Sequence, residues 1–209
     1  MEIEVVGQMK EMSINNMELW DSQFQTDPSM TKQINKGSGR KITTIDAYWL
    51  IYKATKQWGP MGSWGLKSID INVTEGSDIG ILSAVFFHPS GSFAIGNSIN
   101  RFIGRNDKKR EDDEWVKKIV TNTISKALSY LGFSADVYFG KFDDDRYVAD
   151  TVKAVAADLK EECLNELAVL SGSGVVDETQ HAKLVAKLEA SETDLDALHR
   201  ARAYIKGLA

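Results

Sequence analysis

The fold is decided by residues 68–99, SIDINVTEGSDIGILSAVFFHPSGSFAIGNSI. Residues 68–74 alternate between apolar and polar side chains, which is typical of a half-buried strand. Residues 79–87 are almost continuously apolar, as in a central strand, and residues 93–99 alternate again. The connections at 75–78 and 88–92 are short and rich in turn-forming residues, so neighbouring strands run in opposite directions. The stretch therefore predicts a three-stranded antiparallel meander.

Helical patterns flank this meander on both sides. Before it, we expect a helix with Thr43 as its N-cap and Gly59-Pro60 at its end. After it, the acidic residues 111–114 suit the positive end of a helix dipole, and apolar residues at helical spacing follow as far as residue 131. The predicted fold class is α+β: a helix followed by a three-stranded antiparallel meander packed on a long helix, with a small helical C-terminal tail.

The chain divides by composition into four parts. Residues 1–30 form an N-terminal segment, and residues 31–170 form the core, which ends in a further helix over 148–170. Residues 171–174, Ser-Gly-Ser-Gly, have the composition of a flexible linker. Residues 175–209 form a tail of two short helices, which is too small for an independent core of much stability.

Composition excludes several classes of protein. The 209 residues contain no apolar run near the ~20 residues that a membrane helix needs, so we expect no membrane partner. Acidic residues follow Met1 where a secretory signal would carry bases, which favours a cytoplasmic location. The single cysteine, Cys163, excludes an internal disulfide and a cysteine-rich zinc site.

The sequence also lacks the common motifs of catalysis. It contains neither a phosphate-binding Gly-x-x-x-x-Gly-Lys-Ser/Thr loop nor a His-Glu-x-x-His zinc motif. We therefore predict no catalytic site, no metal and no cofactor. Two alternatives stay open: a metal-dependent nuclease that uses Asp112, Asp113 or Asp136, and a phage scaffold protein without a DNA role.

The formal net charge of -5 hides two basic windows. Residues 31–67 hold seven bases and one acid, and residues 101–126 hold eight bases and five acids. Two such windows in one predicted domain favour a surface that faces a polyanion. The candidate DNA-binding residues come from these windows: Arg40, Lys41, Lys53, Lys56, Lys67, Arg101, Arg105, Lys117, Lys118 and Lys126. Tyr52 and Trp64 are the candidates for stacking on bases.

The long helix has an unusual polar face. Beyond its acidic first turn, this face carries lysine, asparagine and serine but no acid, and such side chains can all contact phosphates. Residues 117–138, KKIVTNTISKALSYLGFSADVY, and residues 140–144, GKFDD, resemble the core helix and following loop of phage single-strand DNA annealing proteins. This group belongs with the eukaryotic Rad-type annealing mediators. Shorter motifs at 19–20, 26–28, 31–32, 45–47 and 59–65 are similar to the same family, so the resemblance covers roughly residues 17–150.

The resemblance implies ATP-independent binding and annealing of complementary single-stranded DNA in phage homologous recombination. It implies self-assembly into a ring or filament in the cytoplasm of a bacterial host cell, and it places Lys126 in a DNA groove. By analogy, residues 175–209 would dock the host single-strand-binding protein. The alternative for this tail is a helical hairpin that packs on its own core.

Overall fold

The computed structural model describes residues 17–36, 40–104 and 109–209. The elements in chain order are α1 (17–24), β1 (Thr31–Lys36), β2 (Arg40–Ile45), α2 (Ala47–Trp58), β3 (Gly65–Val73), β4 (Ile79–His88), β5 (Gly91–Asn100), β6 (Phe102–Ile103), β7 (Arg110–Glu111), α3 (Trp115–Ser129), α4 (Ala135–Tyr138), α5 (Asp145–Gly172), α6 (Glu178–Ala190) and α7 (Leu195–Lys206). Short 3-10 helices cover Pro28–Met30 and Lys141–Asp143. The chain forms two compact units, one from residues up to Gln25 with Ile45–Phe139, the other from Thr26–Thr44 with Gly140–Ala209.

The first unit contains the predicted meander. Strands β3, β4 and β5 form an antiparallel sheet in that order, and β4 and β5 pair without a break from Ile79 opposite Asn100 to His88 opposite Gly91. The pairing of β3 with β4 shifts between Lys67 and Asp70, where a β-bulge interrupts it. The predicted α+β fold class, with this sheet packed on the long helix α3, is confirmed.

One face of the sheet forms the core of the first unit. The side chains of alternate β4 residues point to this face, because successive side chains of a strand point to opposite sides. Buried apolar residues of the sheet, α2 and α3 meet there: Leu50, Ala54, Leu82, Ala84, Phe86, Ile95, Ile119, Ile124, Ala127 and Leu128. Fully burying a large apolar side chain is worth about 1.5–3 kcal/mol, so this set holds α2 and α3 on the sheet.

Both helices that flank the meander begin later than predicted. Thr43 is not the N-cap of α2, because it lies in β2, which pairs with β1. Asp46 caps the helix instead, and its carboxylate accepts a hydrogen bond from the backbone N–H of Tyr48 (2.8 Å). Helix α3 begins at Trp115 rather than at Glu111, because Glu111 pairs with Phe102 in the β6–β7 ladder. In both cases, residues that the sequence pattern assigns to a helix belong to a short pair of strands.

The segment from residue 36 to residue 41, within the first basic window, lies partly outside the described residues. Strand β1 ends at Lys36, and β2 begins at Arg40. Its glycines and serine, residues 37–39, are not among the described residues. The prediction missed the two strands because their residues are mostly polar and basic and lack an apolar face.

In the second unit, α5, α6 and α7 share one core. Helix α5 spans 28 residues and includes Ser171 and Gly172, so half of the predicted linker is helical. Side chains from the three helices meet in a buried cluster that includes Cys163, Leu167, Leu188, Leu198 and Ile205. Helices α6 and α7 pack on the apolar face of α5 and remove it from water. The compact unit therefore continues through residues 171–174 instead of ending before them.

Candidate nucleic-acid interface

Lys53 is partly buried in the first unit. Its Nζ donates hydrogen bonds to the backbone carbonyls of Gln23 (2.5 Å) and Gln25 (3.0 Å), at the end of α1. Burial lowers the pKa of Lys53 from 10.5 to about 8, although Asp136 opposes this shift. A lysine in this position ties α1 to α2 and is poorly placed to reach a phosphate.

Arg101 is likewise enclosed by protein partners. Its guanidinium forms an ion pair with Glu111 (2.7 Å) and donates to the carbonyl of Ser77 (3.2 Å). It also lies over the rings of Phe102 and Trp115, at 5.3 and 5.9 Å from their centroids. These contacts fix the side chain at the end of β5.

The two lysines of the first turn of α3 pair with acids. Lys118 donates to Asp112 (2.6 Å), whose carboxylate is almost completely buried, and this hydrogen bond is the main reason why the pKa of Asp112 is lowered. Lys117 pairs with Glu114 (3.1 Å), and the hydrogen bond raises the pKa of Lys117. The Lys117 pair is exposed on both sides, so salt and competing phosphates can replace it more readily.

Lys126, which the resemblance places in a DNA groove, contacts the sheet. Its Nζ donates to the backbone carbonyl of Gly96 on β5 (2.9 Å).

The remaining described cations among the candidates are exposed: Lys41 on β2, Lys56 on α2 and Lys67 on β3. Lys67 lies 5.5 Å from the centroid of the Phe87 ring. Arg105 and the side chain of Arg40 lie outside the described residues.

Trp64 belongs to the core. Its side chain is completely buried, packs against the rings of Trp58 and Phe86, and donates from Nε1 to the carbonyl of Gly59 (2.9 Å). A base can stack only on an exposed ring face, so Trp64 does not qualify as a stacking residue. Tyr52 does qualify, because 44% of its surface is exposed.

Tyr52 belongs to a row of exposed side chains along α2. Tyr48, Tyr52 and Lys56 are spaced i, i+4 and i+8, so they lie above one another on one helix face. Tyr48 is the more exposed of the two tyrosines at 72%, and Tyr52 stacks on Trp49, with ring centroids 5.2 Å apart. Lys117 of α3 lies near enough for Tyr48 to affect its pKa. We call Tyr48, Tyr52 and Lys56 the aromatic row.

Tyr48 is the member of this row that the sequence prediction missed. The prediction placed the N-cap of the helix at Thr43 and named only Tyr52 and Trp64 as stacking residues. The four-residue spacing of the two tyrosines, with a lysine at the next step, was the available signal.

The acids proposed for a nuclease have different surroundings in the structure. Asp112 pairs with Lys118, Asp113 is exposed, and Asp136 is completely buried in α4. Across residues 17–36, 40–104 and 109–209, no three His, Cys, Asp or Glu side chains lie close enough together to hold a metal ion. Cys163 lies in the core of the second unit, and burial raises the pKa of its thiol.

No protein-family model matches the chain, and a search of curated proteins gives no significant match. None of the helices in the described ranges is long and apolar enough to cross a membrane. Within the described surface, the aromatic row is the feature best suited to contact a ligand that carries flat rings and negative charge, because it combines aromatic rings with a cation.

Proposed function

We propose that the protein binds single-stranded DNA along α2 and anneals complementary strands without ATP. The observation that carries this proposal is the aromatic row: two exposed tyrosines one turn apart, followed by a lysine. Bases stack on aromatic rings with about 1–3 kcal/mol each, and lysines hold the phosphates. Neither interaction depends on base identity, as an annealing protein requires.

The spacing of the row supports an extended single strand as the ligand. Residues four apart on a helix are separated by about 6 Å along its axis, so successive unstacked bases can each meet one ring. Lys117 near one end and Lys56 at the other add cations along the same line. The bases of a duplex are stacked on each other and would not be available to the rings.

The annealing activity itself is inferred from the resemblance of residues 117–138 and 140–144 to phage annealing proteins. We infer that, like those proteins, it acts in homologous recombination in the cytoplasm of a bacterial host and assembles as a ring or filament. The segment that carries the resemblance includes most of α3, the helix that packs on β4 and β5.

The binding test compares two tyrosine variants with a matched control. We expect Tyr48→Ala and Tyr52→Ala each to weaken binding of a labelled oligothymidylate by about tenfold, as measured by fluorescence anisotropy at low salt. Tyr204→Ala removes an equally large ring from α7, where 54% of it is exposed, and should leave binding unchanged. Equal affinities for all three variants would refute the aromatic row as the binding site.

The annealing test follows two complementary oligonucleotides by energy transfer between end labels. We expect the protein to accelerate duplex formation in EDTA and without ATP, and Tyr48→Ala to lose most of this acceleration. No acceleration by wild-type protein would contradict the annealing function, and Mg²⁺-dependent shortening of the strands would favour a nuclease instead.

We further propose that residues 175–209 dock the host single-strand-binding protein. A groove of about 470 Å³ between α6 and α7 supports this, since it has an apolar floor and a basic, hydroxyl-bearing rim. The rim residues are Lys187, Arg200 and Tyr204. Such a groove suits an acidic segment with apolar side chains, so Arg200→Glu should abolish binding of the host single-strand-binding protein in calorimetry. Lys183→Glu, a charge reversal elsewhere on α6, is the control.

A further inference from the structure

The two edges of the β3–β4–β5 sheet differ in how well they are protected against pairing with another strand. Strand β3 carries the charged residues Lys67 and Asp70, and a bulge separates them. Within the bulge, Ser68 adopts a left-handed conformation with φ of +52°. Charges and bulges are the usual devices that stop an edge strand from pairing further. The β3 edge is therefore protected.

Within its own ten residues, strand β5 has none of these devices. Its ten residues, GSFAIGNSIN, contain no charge and no proline, and they pair with β4 without a bulge. In the described part of the chain, β5 has a neighbour on one side only. Alternate β5 residues are also exposed on the outer face, and all are small or polar: Ser92, Ala94, Gly96, Ser98 and Asn100. A long, flat and uncharged edge of this kind is a template for another strand.

The backbone groups at this edge can be identified from three hydrogen bonds. The carbonyl of Gly96 accepts from Lys126, and the N–H of Ser98 donates to the side chain of Asn97 (3.0 Å). The N–H of Arg101, by contrast, donates to the carbonyl of Asp78 just before β4 (2.8 Å). Since backbone groups of successive residues point to opposite sides, the even-numbered residues of β5 direct their N–H and C=O groups to the open edge.

We propose that the β5 edge pairs with β5 of a second copy of the chain, antiparallel and about a two-fold axis. In a two-fold contact each strand meets its own sequence, so a charge on the strand can be brought opposite a like charge. Strand β5 carries no charge, whereas β3 does. The pairing would join two three-stranded sheets into one of six strands. A two-fold contact closes with two copies, so it is distinct from the contacts of a ring or filament, and it is independent of DNA binding because the aromatic row lies on α2.

Lys126 protects this edge against pairing with another strand. Its hydrogen bond to the Gly96 carbonyl occupies an acceptor that strand pairing requires, so the bond must break before a second copy can bind. A lysine at an edge also opposes association through its charge. Replacing it with the uncharged Met should therefore strengthen self-association.

The test measures self-association of the full chain by analytical ultracentrifugation. Ala94→Lys places a charge on the open edge and should weaken association by about tenfold or more. Asn72→Lys places the same charge on β3, on the same face of the sheet, and should leave association unchanged. Lys126→Met should strengthen it. If Ala94→Lys does not fold, as judged by circular dichroism, Ser98→Lys takes its place.

Amide hydrogen exchange locates the contact. The N–H groups of Ala94 and Gly96 should become protected as protein concentration rises, while those of β3 should not change. The proposal is overturned if wild-type protein and Lys126→Met both stay monomeric. It is also overturned if Ala94→Lys associates as strongly as wild type, or if Asn72→Lys weakens association as much as the β5 variant does.

Discussion

At the scale of single residues, Lys53 makes stability depend on pH. Its pKa is about 8 in the folded chain and 10.5 when unperturbed, mainly because burial disfavours the charged form. Between these two values the unfolded chain binds more protons, so unfolding becomes less favourable as pH rises. We expect the free energy of unfolding to increase through this window by on the order of 3 kcal/mol relative to Lys53→Met.

The measurement is urea denaturation of wild type and Lys53→Met at several pH values from 7 to about 11. Methionine has a similar length and does not titrate, so the difference between the two proteins isolates Lys53 from other lysines and tyrosines. A difference that stays constant with pH would show that Lys53 keeps its charge in the folded chain.

At the scale of elements, the packing of α3 on the sheet requires a glycine in β4. A Cβ atom on Gly80 would overlap the ring of Trp115, the first residue of α3. We therefore expect Gly80→Ala to push α3 away from β4 and to lower the free energy of unfolding by about 1–3 kcal/mol. Thermal denaturation followed by circular dichroism measures the loss.

Gly96→Ala is the matched control for this change. Gly96 lies in β5, next to β4 in the same sheet. A Cβ atom there would lie 3.6 Å from the carbonyl of Leu82, which is an ordinary van der Waals contact. If both alanine variants lost the same stability, the loss would reflect a general requirement for glycine in the strands rather than the Trp115 contact.

The elements also show which parts of the fold the sequence could predict. The meander and α3 were predictable because periods of 2 and 3.6 residues arise from local geometry and repeat over many residues. Strands β1 and β2 were not, since their polar residues carry no such period. Nor were the partners of the cations: Lys53 and Lys126 each bond a carbonyl 30 residues away, and only the folded chain brings these atoms together.

At the scale of the whole molecule, two separate cores predict separable effects of mutation. Leu198 on α7 is completely buried in the α5–α7 cluster. Leu198→Ala should cost about 2–5 kcal/mol, because it leaves a cavity in that cluster. Hydrogen exchange measured by mass spectrometry should accelerate in α5, α6 and α7 and change little in β3, β4 and β5. Equal acceleration in both regions would mean that the two cores unfold together.

The net charge of -5 makes the location of the cations decisive for DNA binding. Each phosphate that a lysine neutralises on a single strand contributes about -0.7 to the slope of log K against log salt concentration. Lys56 of the aromatic row and Lys117 near its other end should supply these contacts, so Lys56→Gln and Lys117→Gln should each make the slope about 0.7 less steep. Lys126→Gln should leave the slope unchanged, because its ammonium group is bound to Gly96.

Anisotropy titrations over a series of salt concentrations give these slopes directly. Lys183→Gln, on the exposed side of α6, removes the same charge far along the chain and corrects for the change in net charge. If Lys126→Gln flattened the slope as much as Lys56→Gln does, Lys126 would have to leave Gly96 on binding. DNA would then expose the edge of β5, and strand binding and self-association would be coupled through one side chain.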